Sequence, residues 1–140
     1  MTRTLQLKVN IPLYGEGDEW EYRASKCPAK GKPGISYRRD VEEKIGPNAV
    51  LETLLYYNNE GRLAGILNYV PNDIQLPEPW MKAFVERAGT FNVLVAPKHR
   101  GRGIGMKLLR EAVRRWPIDF EQQNYTVDGA RLVQRFLSAR

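Results

Sequence analysis

Apolar and polar residues alternate over residues 4–11, which puts Leu5, Leu7, Val9 and Ile11 on one side. A period of two predicts a strand with one buried face. Residues 12–36 lose that pattern. They are rich in Gly, Pro and Lys, including Lys30-Gly31-Lys32-Pro33-Gly34, and predict a long loop. A short helix is predicted over 38–45, stopped by Gly46-Pro47. Residues 50–57 and 63–70 are dense in β-branched, aromatic and leucine residues, with Asn58-Asn59-Glu60-Gly61 between them. They predict an antiparallel hairpin. Pro71, Pro77 and Pro79 then break the chain, and 80–87 reads as two helical turns ended by Gly89.

The second half is more regular. Residues 91–96 form a short apolar strand before Pro97. Over 104–116, Ile104, Leu108, Leu109, Ala112, Val113 and Trp116 share one helical face, and Pro117 ends the helix. A brief strand is predicted at 118–120. A last helix follows at 127–137, with Ala130, Val133 and Leu137 on one side. No internal repeat interrupts this order. Mixed strands and helices over residues 1–140 predict a single α+β domain.

Charge narrows the choice of ligand. The chain of 140 residues carries a net charge of +6. A basic excess fits nucleic acid, an anionic membrane face or a phosphorylated small ligand. The excess is concentrated in 97–115, where Lys98, Arg100, Arg102, Lys107, Arg110, Arg114 and Arg115 face a single acid, Glu111. No helix-turn-helix, RNA-recognition or zinc pattern accompanies these residues, and aromatics are not interleaved with them, which argues against nucleic acid. No apolar run approaches the roughly 20 residues that span a bilayer. The first residues lack the apolar stretch of a signal peptide. The expectation is a cytoplasmic protein without a membrane partner. Cys27 is the only cysteine and His99 the only histidine, so neither a disulfide framework nor a Cys- or His-rich metal site is expected.

Val95-Ala96-Pro97-Lys98-His99-Arg100-Gly101-Arg102-Gly103-Ile104-Gly105 places a glycine-rich turn between a strand and a helix. The first N–H groups of a helix have no partner within it, and the helix dipole is positive there. Glycines let an anion approach that backbone closely. Two familiar phosphate motifs do not fit. A P-loop or a G-x-G-x-x-G fingerprint starting at Gly101 needs glycine at Met106, and the fingerprint starting at Gly103 needs it at Leu108.

Arg100-x-x-Gly103-x-Gly105 does resemble the R/Q-x-x-G-x-G/A signature of the GNAT superfamily of N-acetyltransferases. The likeness extends over residues 91–116, through the strand, Val95-x-Pro97 and the helix with Leu108-Leu109. It implies a mixed, mostly antiparallel central sheet flanked by helices. It also implies acetyl-CoA as acyl donor. By the resemblance, Arg100, Gly101, Arg102, Gly103, Ile104, Gly105 and Met106 hold the pyrophosphate through loop and helix N–H groups. Val93 and Val95 pair by main chain with the pantetheine arm, like an added strand. The thioester lies in a gap between this strand and residues 118–120, and an N–H near Val95 polarises its carbonyl. An amine attacks directly in a ternary complex.

The resemblance thins at the acid and base. Where many members carry a tyrosine on the last helix, this chain has Gln134. Tyr125 is the nearest substitute, and Glu52, Tyr56 and Tyr57 on the hairpin are candidate base or substrate contacts. The chain also lacks the two further strands that usually follow. It reads as a short variant whose sheet is truncated at the C-terminus. Its substrate wall is then expected from 11–36, from 71–90, or from a second copy in a homodimer. Two functions stay open: an N-acetyltransferase acting on a primary amine, and a catalytically inactive CoA-binding sensor or scaffold.

Overall fold

The computed structural model describes residues 6–9, 16–41, 49–75 and 85–139. The elements are β1 (Lys8–Val9), α1 (Glu16–Ala24), β2 (Gly34–Val41), β3 (Val50–Tyr57), β4 (Leu63–Tyr69), β5 (Ile74–Gln75), β6 (Val85–Glu86), β7 (Phe91–Val95), α2 (Ile104–Arg115), β8 (Asn124–Tyr125) and α3 (Val127–Ser138). A four-stranded antiparallel sheet in the order β2-β3-β4-β7 forms the centre. Two small pairs flank it, β1 parallel to β8 and β5 antiparallel to β6. This is the α+β architecture expected from the pattern.

β4 occupies the middle of the sheet, and all seven of its residues are buried. Its sequence Leu-Ala-Gly-Ile-Leu-Asn-Tyr is nearly continuous in apolar character because both faces are covered. On one face, Leu54, Leu67 and Phe91 pack with Leu108, Leu109 and Ala112 of α2 and Val133 and Phe136 of α3. On the other, Leu55, Tyr57, Leu63 and Ile66 meet Trp20 and Ala24 of α1 and Cys27 just after it. Trp116 closes the first core by stacking on Tyr69, with ring centroids 4.9 Å apart.

Several expected elements change. Residues 38–41 belong to β2, paired with β3 from Gly34↔Tyr57 to Val41↔Val50, and are not helical. The open edge of β3 offered a full ladder of hydrogen bonds, which outweighed the weak helical pattern. The rest of that predicted helix, 42–45, lies outside the described residues. The predicted loop 12–36 contains α1, whose Trp20 and Ala24 recur four residues apart on the buried side. Residues 118–120 form no strand, and the parallel partner of β1 is Asn124–Tyr125 instead. Of the predicted helix 80–87, residues 80–84 lie outside the described residues, and Val85–Glu86 is a strand. Of the predicted strand 4–11, the described part is strand only at Lys8–Val9.

Candidate functional site

The site begins with the direction of the main chain in β7. Ala96 N–H donates to Ala64 C=O at 2.9 Å, and Val70 N–H donates to Thr90 C=O at 2.9 Å. Main-chain groups alternate sides along a strand. Asn92 and Leu94 therefore direct their N–H and C=O toward β4, and Phe91, Val93 and Val95 direct theirs to the outer edge. No strand pairs with that edge among the described residues. Two side chains touch it. Gln123 makes a pair of hydrogen bonds with Phe91, and Arg100 Nε reaches Val95 C=O at 3.4 Å.

After Val95 the chain turns through a short 3-10 segment, Pro97–His99, tied by His99 N–H to Ala96 C=O at 2.8 Å. Gly101 and Gly103 both lie in the left-handed region, at φ +78° and +76°. Side chains strain in that conformation. A Cβ added at either position would meet nothing within 4 Å, so the space above the turn is open. Gly103 is the N-cap of α2, and no side chain caps the helix there. Its C=O accepts from Lys107 N–H at 3.1 Å. The N–H groups of Ile104, Gly105 and Met106 have no acceptor within the helix. The first turn carries no acid. This is an uncapped, positively polarised helix end with Arg100, Arg102, Lys98 and Lys107 around it.

Two further glycines seat that helix. A Cβ on Gly65 would lie 2.7 Å from Ile104 Cγ2 and 2.9 Å from Leu108 Cδ1. A Cβ on Gly105 would lie 3.3 Å from Leu132 of α3 and 3.9 Å from Val93. Gly65 lets the start of α2 settle against β4, and Gly105 lets it approach α3. Gly65 was not singled out from sequence. The available signal was a lone glycine inside a strand of otherwise packed residues, which often marks close approach of another element.

The basic face of α2 divides in two. Arg114 and Arg115 both pair with Glu111, the latter through Nε at 2.7 Å. They sit at the far end of the helix, about 15 Å from its start at 1.5 Å per residue. The hydrogen bond from Arg114 holds the Glu111 carboxyl below its ordinary range. Glu111 thus offsets part of the positive charge at the far end of α2.

The three catalytic candidates are not gathered together. The Tyr125 phenol is buried and donates to Phe120 C=O at 2.7 Å, and burial raises its pKa. Its ring meets Phe91 at 6.5 Å, which places it at the end of β7 away from the loop. Glu52 accepts a hydrogen bond from Tyr37 and lies on β3, two strands in from the free edge. Tyr57 is at the opposite end of β3, on the α1 face, where its hydroxyl donates to Pro28 C=O at 2.9 Å. Gln134 is exposed on α3.

A polar row crosses the α1 face instead. Asp40 Oδ2 accepts from Thr53 Oγ1 at 2.7 Å, which accepts from Asn68 Nδ2 at 2.9 Å. Asn68 Oδ1 accepts from Arg23 at 3.2 Å, and Arg38 pairs with Asp40. The register carries the row to Asn92, opposite Asn68, on the exposed edge strand. Scattered single polar residues gave no sequence signal for it. A cleft of about 600 Å³, lined by residues including Tyr69, Gly89, Asp119 and Phe120, lies at the Phe91 end of the sheet, away from the glycine turn. Residues 118–120 line this cleft, and Phe120, Gln123 and Tyr125 all meet β7 at Phe91.

Among the described residues, no helix is long and apolar enough to cross a membrane. In comparisons with known proteins, the model of the acetyltransferase (GNAT) family matches residues 19–117. No curated protein and no solved structure gave a match.

Proposed function

The chain belongs to the acetyltransferase (GNAT) family, and from that premise we propose that it is an acetyl-CoA-dependent N-acetyltransferase acting on a primary amine. One observation carries the reading. The free edge of β7, at Val93 and Val95, runs directly into the open glycine turn and the uncapped start of α2.

The residues fit the donor. N–H groups from Gly101 to Met106 hold the pyrophosphate, with Arg100 and Arg102 adding charge. Val93 offers its N–H and C=O, and Val95 its N–H, to the amides of the pantetheine arm. Bound acetyl-CoA supplies a thioester: the amine forms the N–C bond, the C–S bond breaks, the amine loses a proton and the thiolate gains one. An N–H on the β7 edge stabilises the charge that develops on the carbonyl oxygen. The amine enters from the α1 face, where Asn92 ends the polar row. A cytoplasmic setting belongs to this reading.

A second reading has its own observation. Tyr125 and Tyr57 are each committed to a main-chain carbonyl, and by the sequence resemblance Gln134 stands where many members carry a tyrosine. We therefore keep a CoA-binding sensor without turnover as the alternative. Calorimetry with acetyl-CoA, followed by thiol detection across an amine panel, tests both. Binding with thiol release supports the enzyme, and binding without release for any amine supports the sensor. No binding at millimolar ligand contradicts both.

A further inference from the structure

Gln123 does at Phe91 what a neighbouring strand would do. Phe91 N–H donates to Gln123 Oε1 at 2.9 Å, and Gln123 Nε2 donates to Phe91 C=O at 2.9 Å. One side-chain amide thus satisfies both outward groups of the first β7 residue. The strand that follows Gln123 does not extend this contact, because Asn124–Tyr125 pairs with β1.

The amide is firmly based. Phe120 packs edge-on against Phe91 at 5.9 Å, and Tyr125 packs against Phe91 from the other side of Gln123 in sequence. The Tyr125 hydroxyl ties back to Phe120 C=O at 2.7 Å. Immediately after it, Thr126 caps α3 by accepting from Gly129 N–H at 3.0 Å. The turn carrying Gln123 is therefore anchored at both ends, and Gln123 itself is half-buried.

The free edge then has a fixed length. It starts at the glycine turn, passes Val95 and Val93, and stops at the Gln123 amide one alternation later, about 7 Å beyond Val93 at 3.3 Å per residue. A chain laid along it from the turn meets that amide end-on. Pushing the amide aside leaves the Phe91 N–H and C=O without partners, which is unfavourable in a buried setting.

We propose that Gln123 is a specificity-determining residue that closes the β7 edge and restricts the acyl group to short chains. This rests on the reading of the edge as the coenzyme A site. The test is a set of dissociation constants for acetyl-, butyryl- and octanoyl-CoA, measured by calorimetry on the full chain and on Gln123→Ala. The wild-type chain is expected to bind octanoyl-CoA at least about tenfold more weakly than acetyl-CoA, a difference of 1.4 kcal/mol. In Gln123→Ala that ratio is expected to fall to about threefold or less. Gln123→Asn, which withdraws the amide by one methylene, serves if the alanine variant does not fold. It is expected to narrow the butyryl-to-acetyl ratio first.

Equal binding of octanoyl- and acetyl-CoA by the wild-type chain overturns the inference. So does an unchanged ratio in a folded variant that still binds acetyl-CoA. Both results leave the coenzyme A site standing. Absence of any CoA binding by the wild-type chain overturns the site and the inference together.

Discussion

Gly65 and Ile104 sit so close that a methyl group does not fit between them: a Cβ at Gly65 would fall 2.7 Å from Ile104 Cγ2. The start of α2 rests on β4 at this point, and the anion site is the start of α2. Gly65→Ala must move the helix or strain it. Overpacking of this kind costs about 1–3 kcal/mol. Urea unfolding is expected to show that loss, and acetyl-CoA affinity is expected to fall with it although Gly65 touches no ligand in the proposed site.

The charges at the two ends of α2 and in the loop before it are not equivalent. Arg100 and Arg102 flank the glycine turn, and Arg114 and Arg115 are tied to Glu111 at the other end. Replacing Arg100 and Arg102 by alanine is expected to weaken acetyl-CoA binding by about tenfold or more, at 1.4 kcal/mol per decade. Replacing Arg114 and Arg115 is expected to change it by less than about twofold at physiological salt, where screening acts over about 8 Å. Calorimetry on the two double variants checks the contrast.

These features differ in how far they could be read from the sequence. The turn at 97–103, the hairpin and helices α2 and α3 are written in local signals: glycine, proline and a 3.6-residue period. β2 was not legible because Arg38, Arg39 and Asp40 are polar and gain their strand form only from the ladder to β3. α1 was hidden among glycines and charges, with few apolar residues on its buried face. The β1–β8 pair joins residues more than a hundred positions apart; the alternation over 4–11 marked the first, but the two residues Asn124–Tyr125 carry no pattern of their own. Gln123 was invisible for a related reason. Its role is a contact between a side chain and a main chain 32 residues away.

The polar row beneath α1 is expected to matter for stability. Asp40 accepts from both Thr53 and Arg38, and Thr53 is almost wholly buried. Asp40→Ala leaves those donors short of an acceptor, at a cost of about 1–3 kcal/mol. Chemical denaturation is expected to show it, and Thr53→Val is expected to cost a similar amount because it leaves the buried Asn68 amide without its acceptor.

Glu111 sets a pH dependence with a definite sign. Hydrogen bonds from Arg114 and Arg115 lower its folded pKa below the ordinary 4.5. A lowered carboxyl pKa stabilises the fold above its unfolded value and loses that contribution as pH falls through the folded value. The stability difference between wild type and Glu111→Gln is therefore expected to be constant above about pH 5.5 and to shrink below pH 4.5. Thermal melts of both proteins from pH 7 to pH 3, a range that spans this transition, check it.

The central claim is that the outer edge of β7 and the start of α2 hold one ligand. Amide hydrogen exchange, followed by NMR with and without acetyl-CoA, reads it residue by residue. The N–H groups of Val93 and Val95, and those of Ile104, Gly105 and Met106, are expected to exchange quickly in the free protein and to become protected on binding. Leu94, already bonded toward β4, is expected to change little. Protection that appears elsewhere while Val93, Val95 and the start of α2 stay unprotected would contradict the account.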